Sequence, residues 1–268
     1  MFGGGDDGPS LDERLDTVAD WIRAAEIRPD GEGGIVVLTG AGVSTDSGIP
    51  DFRGPDGVWT KDPEAERLAT IGAYLDDPEV RTRSWRWRMK HPAWEAEPNA
   101  AHESLVELEE RERLRAIVTQ NIDGLHQRAG SDPERVIEVH GSMREVVCVE
   151  CDDRLPTGDV LERVREGEGD PRCVSCGGIL KTGTVFFGEA LDERDIEAAQ
   201  MAAMLCDVFI AAGTSLQVYP VAWLPSIARG AGARVVIVNR EPTPHDDEAD
   251  VVIHGGVGEI LPELVDRL

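Results

Sequence analysis

Four cysteines stand in two Cys-x-x-Cys pairs, a pattern that is typical of a metal site. Cys148 and Cys151 form the first pair, and Cys173 and Cys176 form the second, about 20 residues later. Four thiolates at this spacing match the tetrahedral coordination that zinc prefers. Because no position is left for water, we predict one structural zinc ion that stabilises the surrounding segment and takes no part in catalysis.

A second pattern with chemical meaning follows an apolar run near the N-terminus. Residues 35–39 read I-V-V-L-T, and residues 40–54 read G-A-G-V-S-T-D-S-G-I-P-D-F-R-G. A buried strand that enters a Gly-x-Gly turn, here Gly40 and Gly42, is how a dinucleotide-binding fold begins. The usual fingerprint has a third glycine where this chain has Thr45. The pattern predicts a nucleotide site but leaves open whether NAD serves there for hydride transfer.

The stretch T-Q-N-I-D-G-L-H at 119–126 places amides and a carboxylate after a predicted strand. Gln120 and Asn121 are suited to hydrogen-bond ribose hydroxyls, and Asp123 is suited to accept from a carboxamide. Ligands of open parallel sheets bind at this end of the strands. Taken alone, the same residues are equally consistent with a turn that Asn and Asp side chains stabilise.

His140, in E-V-H-G-S, ends another predicted strand and is a candidate general base. An ordinary imidazole pKa of about 6.5 suits proton transfer near neutral pH. A lone histidine is more often structural, so this residue is only a candidate on its own. His102 and His126 fit helix or packing positions instead.

Small polar residues also follow two later strands. Gly213, Thr214 and Ser215 come after the run 208–212, and Asn239 ends the run 234–239. These are the expected positions for the ribose and phosphates of adenosine. Each stretch is a weak signal alone, but together they predict one crevice at the edge of a sheet.

The elements that must position these residues alternate between strand and helix. Apolar spacing predicts helices at 11–27 (with Ser10 as N-cap), 102–113, 192–205, 222–229 and 257–268. It predicts strands at 35–39, 115–119, 136–140, 208–212, 234–239 and 251–253. This alternation predicts an α/β fold, with a Rossmann-like parallel sheet covered by helices on both faces.

Two segments interrupt that alternation. Residues 55–101 are rich in Trp, Arg and Pro and are expected to form a cofactor loop and a helical module. Residues 145–182 carry the paired cysteines and are expected to form a small zinc-ribbon module. The Rossmann-like domain then comprises residues 11–54, 102–144 and 183–268, after a flexible leader at 1–10.

Composition limits the partners of this chain of 268 residues. The formal net charge is −25 and the isoelectric point is near 4.5, which argues against direct nucleic-acid binding. The chain has 52 acidic residues and only three lysines. This composition favours a protein from a high-salt cytosol over an ordinary acidic cytosolic protein. With no apolar run that could span a membrane and no signal peptide, we expect a cytoplasmic protein. The fifth cysteine, Cys206, is expected in the core.

Together these residues resemble the sirtuin family of NAD-dependent protein deacylases. The matching stretches occur in the family's order: G-A-G-V-S-T-D-S-G-I-P-D-F-R-G, T-Q-N-I-D-G-L-H-Q-R-A-G, H-G-S, the paired C-x-x-C, F-F-G-E-A-L, G-T-S-L-Q-V-Y-P and I-V-N-R-E-P-T. The resemblance extends over nearly the whole chain apart from the leader. The acidic composition adds the expectation of a halophilic archaeal source.

The resemblance implies that NAD is a consumed co-substrate. The carbonyl oxygen of an acyl-lysine protein or peptide would attack the nicotinamide ribose and expel nicotinamide. His140, the catalytic base, would then deprotonate a ribose hydroxyl, leading to free lysine and O-acyl-ADP-ribose. Such a site must exclude water, because NAD would otherwise be hydrolysed.

The resemblance also implies a role for each matching position. His140 and Asn121 would be catalytic. The NAD site would comprise Gly40, Ala41, Gly42, Thr45, Asp51, Phe52, Arg53, Gln120, Ile122, Asp123, Gly213, Thr214, Ser215, Asn239 and Val257. The acyl-lysine substrate would contact Val185, Phe187, Gly188 and Glu189, the last two pairing with its backbone as an added strand.

Two positions depart from the family pattern. Thr182 stands where the family usually has proline before F-F-G-E. Members that prefer succinyl or malonyl lysine share a Tyr-x-x-Arg pair, for which the nearest match is Trp85 to Arg88. Arg88 could meet an acyl carboxylate, whereas Trp85 lacks the hydroxyl. Trp85 and Trp87 are both expected to pack the small domain instead. We therefore expect a deacetylase, with long-chain or succinyl deacylation, mono-ADP-ribosyl transfer and a non-catalytic NAD-binding module as alternatives.

Overall fold

A six-stranded parallel sheet forms the centre of the molecule. The computed structural model describes residues 8–29, 31–51 and 64–268, so the predicted ligands Phe52 and Arg53 lie outside the described residues. The strand order is β3-β2-β1-β7-β8-β9, and every neighbouring pair is parallel. The strands are β1 (Ile35–Thr39), β2 (Leu114–Thr119), β3 (Val136–Glu138), β7 (Val208–Ala212), β8 (Arg234–Asn239) and β9 (Val251–His254).

Helices cover both faces of this sheet, which confirms the predicted fold class. One face packs against α1 (Leu11–Ala24), α5 (Ala100–Glu110) and α10 (Val257–Asp266), and the other against α8 (Glu193–Leu205) and α9 (Leu224–Gly230). All five residues of β1 and all five of β7 are buried, as expected for strands with helices above and below. Cys206 lies in the second of these cores, as predicted.

Local capping sets the ends of two helices. Ser10 and Glu13 form a reciprocal capping box at the start of α1, so the predicted N-cap is confirmed. The helix stops at Ala24 rather than at residue 27, because Ala25 adopts extended backbone angles. Asn99 caps α5, which therefore begins two residues before the predicted start.

A second, smaller sheet carries the cysteine pairs. Its strands are β4 (Gly141–Cys148), β5 (Arg154–Pro156) and β6 (Leu180–Thr184), in the order β5-β4-β6. The sheet therefore begins and ends a few residues outside the predicted segment 145–182. Both of its strand pairings are antiparallel, and helix α7 (Thr157–Arg165) lies against it.

Three further helices form the helical module: α2 (Glu64–Leu68), α3 (Ile71–Asp76) and α4 (Pro78–Met89). Trp85 is fully buried against Val146 and Leu161, so the expectation that it packs the small domain is confirmed. Trp87 is only half-buried and lies outside that core, so the same expectation is wrong for Trp87. Arg81 is also buried, and its Nε lies 2.9 and 3.0 Å from the two carboxylate oxygens of Asp170. The helical module and the cysteine-bearing module thus share one core.

Strand order places the predicted site residues together. Short helix α6 (Leu125–Ala129) follows the loop after β2, and β1 lies between β2 on one side and β7 on the other. The loops after β1 and β7 therefore bound a crevice at the point where the strand order reverses, the usual ligand position in open α/β sheets. Within the part of the chain that is described, no helix combines the length and apolar character needed to cross a bilayer.

Candidate active site

A cavity of about 850 Å³ opens at the carboxyl ends of the central strands. It is lined by eighteen of the predicted site residues: Gly40, Ala41, Gly42, Thr45, Asp51, Gln120, Asn121, Ile122, His140, Val185, Phe187, Gly188, Glu189, Gly213, Thr214, Ser215, Asn239 and Val257. Asp123 does not line the cavity and is buried behind it. Residues that are more than 200 positions apart in the sequence thus share one chamber of a size suited to a small-molecule ligand.

The glycines of the first loop are required by its close approach to the loop after β7. A Cβ atom at Gly40 would lie 2.7 Å from the carbonyl oxygen of Gly213, and one at Gly42 would lie 2.8 Å from the Gly213 Cα. Gly213 itself has a φ of +61°, which favours glycine. The two loops can therefore touch only because neither carries a side chain there.

Thr45 helps to shape the chain beyond the Gly-x-Gly turn. Two 3₁₀ turns, Ala41–Val43 and Thr45–Ser47, form where a hydride-transfer fold usually starts a long helix. The Thr45 hydroxyl donates to the carbonyl oxygen of Gly42 over 3.0 Å and holds the two turns together. The missing third glycine thus marks a differently shaped loop, whose residues line the cavity as far as Asp51.

Asn121 joins the first loop to the loop after β2. Its Nδ2 donates to the Gly40 carbonyl oxygen at 3.0 Å and to Ser44 Oγ at 3.2 Å. Ser44 Oγ in turn donates to Asp123 Oδ2 at 2.8 Å, and the backbone N–H of Leu125 donates to Asp123 Oδ1 at 2.9 Å. The Asp123 carboxylate therefore braces the loop from behind, whereas we expected it to face a ligand carboxamide. Ser44 was not predicted as a site residue, because a serine in a glycine-rich turn gives no distinct signal.

His140 lies just after β3, which ends at Glu138 rather than at residue 140 as predicted. Its Nδ1 is 3.0 Å from the carbonyl oxygen of Gln120. A carbonyl oxygen only accepts hydrogen bonds, so Nδ1 carries the ring proton and the lone pair of the neutral ring is on Nε2. The backbone N–H of Val185 donates to the His140 carbonyl oxygen at 2.9 Å, which ties the ring's position to the segment that follows β6.

The far end of the cavity is built from the ends of β7 and β8. Gln120 Nε2 donates to Thr214 Oγ1 at 2.8 Å and so spans from the β2 loop to the β7 loop. Asn239 Nδ2 donates to the Glu241 carbonyl oxygen at 2.7 Å. Gln120 and Thr214 therefore hold each other in place, and Asn239 is held by the loop that follows it, while all three residues line the cavity.

The segment 185–189 forms the opposite wall. The backbone of Phe187 pairs with the helical module: its N–H donates to the Ala69 carbonyl oxygen at 2.8 Å, and its carbonyl accepts from Ile71 at 3.0 Å. Glu189 Oε2 accepts from the Phe186 backbone N–H at 2.6 Å and lies 3.0 Å from Lys181 Nζ. These contacts of Phe187 and Glu189 fix the conformation of the segment beside the cavity.

Arg88 adds a buried positive charge to the same wall. Its side chain is only 4% exposed, yet the residue lines the cavity. Its Nη2 donates to Thr184 Oγ1 at 3.0 Å, and the guanidinium carbon lies 5.2 Å from the centre of the Phe186 ring. No carboxylate pairs with it among the described residues, and burial lowers its pKa to about 10. Thr184, which no sequence pattern indicated, is therefore part of the site.

The four paired cysteines converge as predicted. All four Sγ atoms lie within 4.8 Å of one another, and three of the separations are 3.4, 3.5 and 3.8 Å. A zinc ion with Zn–S bonds of about 2.3 Å places its sulfur ligands about 3.8 Å apart. The donor set and its spacing thus fit one tetrahedral zinc ion, which would bind Cys148, Cys151, Cys173 and Cys176 on the small sheet, away from the cavity.

Comparison with known proteins gives a consistent result. A model of the Sir2 family matches residues 40–220. The NAD-dependent protein deacetylase 2 of Streptomyces coelicolor is 52% identical over 231 residues, which cover 86% of this chain and 96% of the relative. The NAD-dependent protein deacetylase 1 of Pyrobaculum aerophilum is 43% identical over 259 residues, 96% of this chain and 95% of the relative.

Solved structures agree in fold and in sequence. A chain from work on the structural basis for the mechanism and regulation of Sir2 enzymes has a TM-score of 0.84 and 42% identity, with 96% of this chain and 98% of that chain covered. A chain from a complex of Sir2 with a p53 peptide and NAD+ has a TM-score of 0.82 and 35% identity, with 94% and 97% covered.

Proposed function

This chain belongs to the Sir2 family, and we propose that it is an NAD-dependent protein-lysine deacetylase that transfers the acyl group from lysine to ADP-ribose and releases nicotinamide. The two relatives from Streptomyces and Pyrobaculum are deacetylases that depend on NAD, and one solved relative holds both a peptide and NAD+. NAD is therefore a consumed co-substrate, and one structural zinc ion is the resident metal.

The single observation that carries the mechanism is the hydrogen bond between His140 Nδ1 and the Gln120 carbonyl oxygen. It directs the proton-accepting Nε2 of a cavity-lining histidine away from the backbone. After the acyl oxygen has displaced nicotinamide from the ribose, this nitrogen takes the proton of a ribose hydroxyl. The deprotonated oxygen then attacks the acyl carbon, and the bond from that carbon to the lysine nitrogen breaks as the amine takes up the proton. One water molecule, admitted after nicotinamide has left, then adds to the acyl carbon and frees the first ribose oxygen as a hydroxyl, so that the acyl group remains on the ribose as an ester.

Asn121 and the first loop hold the reacting ribose. The Asn121 amide fixes the carbonyl of Gly40, and the close contact of Gly40 and Gly42 with Gly213 leaves the backbone of both loops beside the cavity. Backbone N–H groups in such a turn suit the pyrophosphate of NAD. We assign the remaining predicted NAD and substrate residues to the roles that the sequence predicted, including Phe52 and Arg53, which lie outside the described residues; Asp123 instead supports the loop from behind.

Substrate entry is assigned to the wall opposite the nucleotide. Val185 and Phe187 would flank the lysine stem, and the backbone at Gly188 and Glu189 would pair with the substrate as an added strand. The contacts of Glu189 with Lys181 and with the backbone N–H of Phe186 support this role, since they fix the backbone conformation of that segment.

One observation favours a second acyl class. A guanidinium that is buried at a cavity without a carboxylate partner among the described residues is costly unless a ligand supplies the anion. Arg88 therefore supports the removal of acyl groups with a terminal carboxylate, such as succinyl, beside deacetylation. Thr184 Oγ1 would share the hydrogen bonding of that carboxylate.

The composition and the predicted domain organisation add to the proposal. The net charge of −25 supports a cytoplasmic protein of a halophilic archaeon that binds no nucleic acid directly. The predicted domain boundaries are kept, with the small sheet starting at Gly141 across the predicted boundary at 144.

The experiment that tests the function is the release of nicotinamide from NAD with and without an acetyl-lysine peptide, since mono-ADP-ribosyl transfer or simple hydrolysis needs no acyl peptide.

A further inference from the structure

Two histidines are buried side by side beneath the candidate active site. His102 on α5 is 0% exposed and His126 on α6 is 1% exposed, and their ring centres are 4.9 Å apart. Neither lines the cavity, and neither has a part in the proposed reaction steps. Burial lowers the pKa of His102 to about 4 and that of His126 to about 3, so both rings are neutral at physiological pH.

Their hydrogen bonds assign the position of each ring proton. The backbone N–H of Asn99 donates to His102 Nδ1 at 3.3 Å, so the His102 proton is on Nε2. The Thr39 hydroxyl donates to Thr119 Oγ1 at 2.8 Å and has no second proton to give. His126 Nε2, 2.9 Å from Thr39 Oγ1, must therefore be the donor in that contact.

One nitrogen of each ring has no hydrogen-bond partner among the described residues: Nε2 of His102 and Nδ1 of His126. With the protons assigned in this way, the first is a donor and the second an acceptor. The two rings thus bring one unpaired donor and one unpaired acceptor into the same buried contact. Unpaired buried polar groups are rare and costly in folded proteins, so their presence here calls for an explanation.

Hydrogen bonds connect His126 to Asn121 through two threonines. Thr39 and Thr119 are register partners at the ends of β1 and β2. Thr119 Oγ1 also accepts from the backbone N–H of Asn121 at 3.1 Å, while the Asn121 side chain holds Gly40 and Ser44. Thr39 Oγ1 thus accepts from His126 and donates to Thr119 Oγ1, whose second lone pair accepts from the Asn121 N–H, so that one continuous chain of hydrogen bonds runs from His126 to Asn121.

We propose that His126, held in place by His102, is a positioning residue that fixes Asn121 and the Gly40 loop in the arrangement needed to expel nicotinamide. The inference rests on the proposed function for its reaction step and on the hydrogen-bond chain for its geometry. Without a donor at position 126, Thr39 Oγ1 loses one of the two hydrogen bonds that fix it, and the chain that supports Asn121 is held less firmly. The effect on the reaction arises because a shift of about 1 Å in a positioned group can cost about 100-fold in rate.

Two matched pairs of variants test this role in the full-length, zinc-loaded protein. His126→Gln keeps an N–H donor near the Nε2 position, whereas His126→Leu removes it. Thr39→Ser keeps the linking hydroxyl, whereas Thr39→Val removes it at nearly constant volume. We expect His126→Leu and Thr39→Val to lower kcat for nicotinamide release about 10- to 100-fold. The KM for the acetyl peptide should change little, and His126→Gln and Thr39→Ser should restore most of kcat.

The opposite results would overturn the proposal. If His126→Leu or Thr39→Val folds and keeps the wild-type kcat, His126 has no positioning role. Equal losses in His126→Gln and His126→Leu would show that only packing matters. The tautomer is checked without any activity by ¹⁵N NMR of the imidazole rings, where a proton on Nδ1 of His126 would also overturn the proposal. Failure of the proposed function is distinct, since the wild-type protein would then release no nicotinamide with any acyl peptide.

Discussion

His140 donates its Nδ1–H to the backbone carbonyl oxygen of Gln120 over 3.0 Å. Gln120 directly precedes Asn121, whose side chain holds the carbonyl of Gly40. The candidate base and the amide that joins the loops after β1 and β2 are therefore anchored by adjacent residues of one loop. This arrangement places a proton acceptor and the proposed ribose site in one cavity, and each part of it can be tested separately.

Arg88→Met should change acyl selectivity. A charge-assisted hydrogen bond between Arg88 and an acyl carboxylate contributes about 1.5–3 kcal/mol, or about 10- to 100-fold in kcat/KM. We expect the variant to lose that factor for a succinyl-lysine peptide while its kcat/KM for the acetyl-lysine peptide falls much less. The measurement is steady-state kinetics with both peptides on one sequence. Equal losses of kcat/KM for the succinyl and acetyl peptides would contradict the proposal that Arg88 binds an acyl carboxylate.

Removal of the metal should unfold the small sheet. Cys176→Ser breaks the four-sulfur set, and we expect the zinc content to fall well below one ion per chain and the melting temperature to drop. Cys206→Ala is the matched control, since Cys206 lies in the core of the large sheet and outside the cluster. Metal analysis and thermal melting of both variants check the prediction. Full zinc content in Cys176→Ser would contradict the four-cysteine site.

Stability should fall with acidification because of the buried histidines. The pKa of His126 is lowered to about 3 in the folded protein, against about 6.5 in the unfolded chain. Between these values the unfolded state binds one more proton, so the histidine's contribution is complete above pH 6.5 and is lost as the pH falls. Each pH unit below 6.5 costs about 1.4 kcal/mol of unfolding free energy per such group.

The variant His126→Gln removes one of these titrations. Its unfolding free energy should decline less steeply with falling pH than that of the wild-type protein, whatever the two values are near pH 7. Urea unfolding at a series of pH values between about 6.5 and 4.5 measures the two slopes. Parallel slopes would mean that His126 takes up its proton in the folded state as readily as in the unfolded chain.

Salt should stabilise this acidic protein. With a net charge of −25, self-repulsion destabilises the folded state at low ionic strength, and screening removes it. We expect the melting temperature to rise as KCl is increased from about 0.1 M, where the Debye length is about 10 Å, to molar concentration. Melting curves in KCl measure this rise. A melting temperature that is unchanged or lower in molar KCl would remove the argument for a high-salt cytosol.

Sequence patterns predicted the large sheet well for a physical reason. The runs Ile35–Thr39, Val208–Ala212 and Arg234–Asn239 are strands with the bounds predicted, because strands with helices on both faces need a continuous apolar run at their centre. The cysteine cluster was equally predictable, since its spacing alone specifies the ligand set. These features depend on local composition and on rules that hold for many folds.

Side-chain direction within the site could not be read in the same way. Asp123 was expected to face a ligand, but its two oxygens accept from Ser44 and Leu125 behind the cavity. Arg88 was weighed only through its resemblance to a paired motif, and its burial without a carboxylate partner among the described residues results from helix packing that no local pattern encodes. The link between His126 and Asn121 passes through two strands that are 80 residues apart, so it exists only in the folded chain.

The deacetylase assignment is tested most directly by nicotinamide release from NAD in molar KCl, measured with and without an acetyl-lysine peptide for the wild-type protein and for His140→Ala. We predict that wild-type release requires the peptide. In His140→Ala, steady-state release and deacetylated peptide should both fall at least about 100-fold. At most about one equivalent of nicotinamide should form in a single turnover, because the base acts after nicotinamide has left. Release without peptide, or sustained turnover in His140→Ala, would contradict the deacetylase assignment.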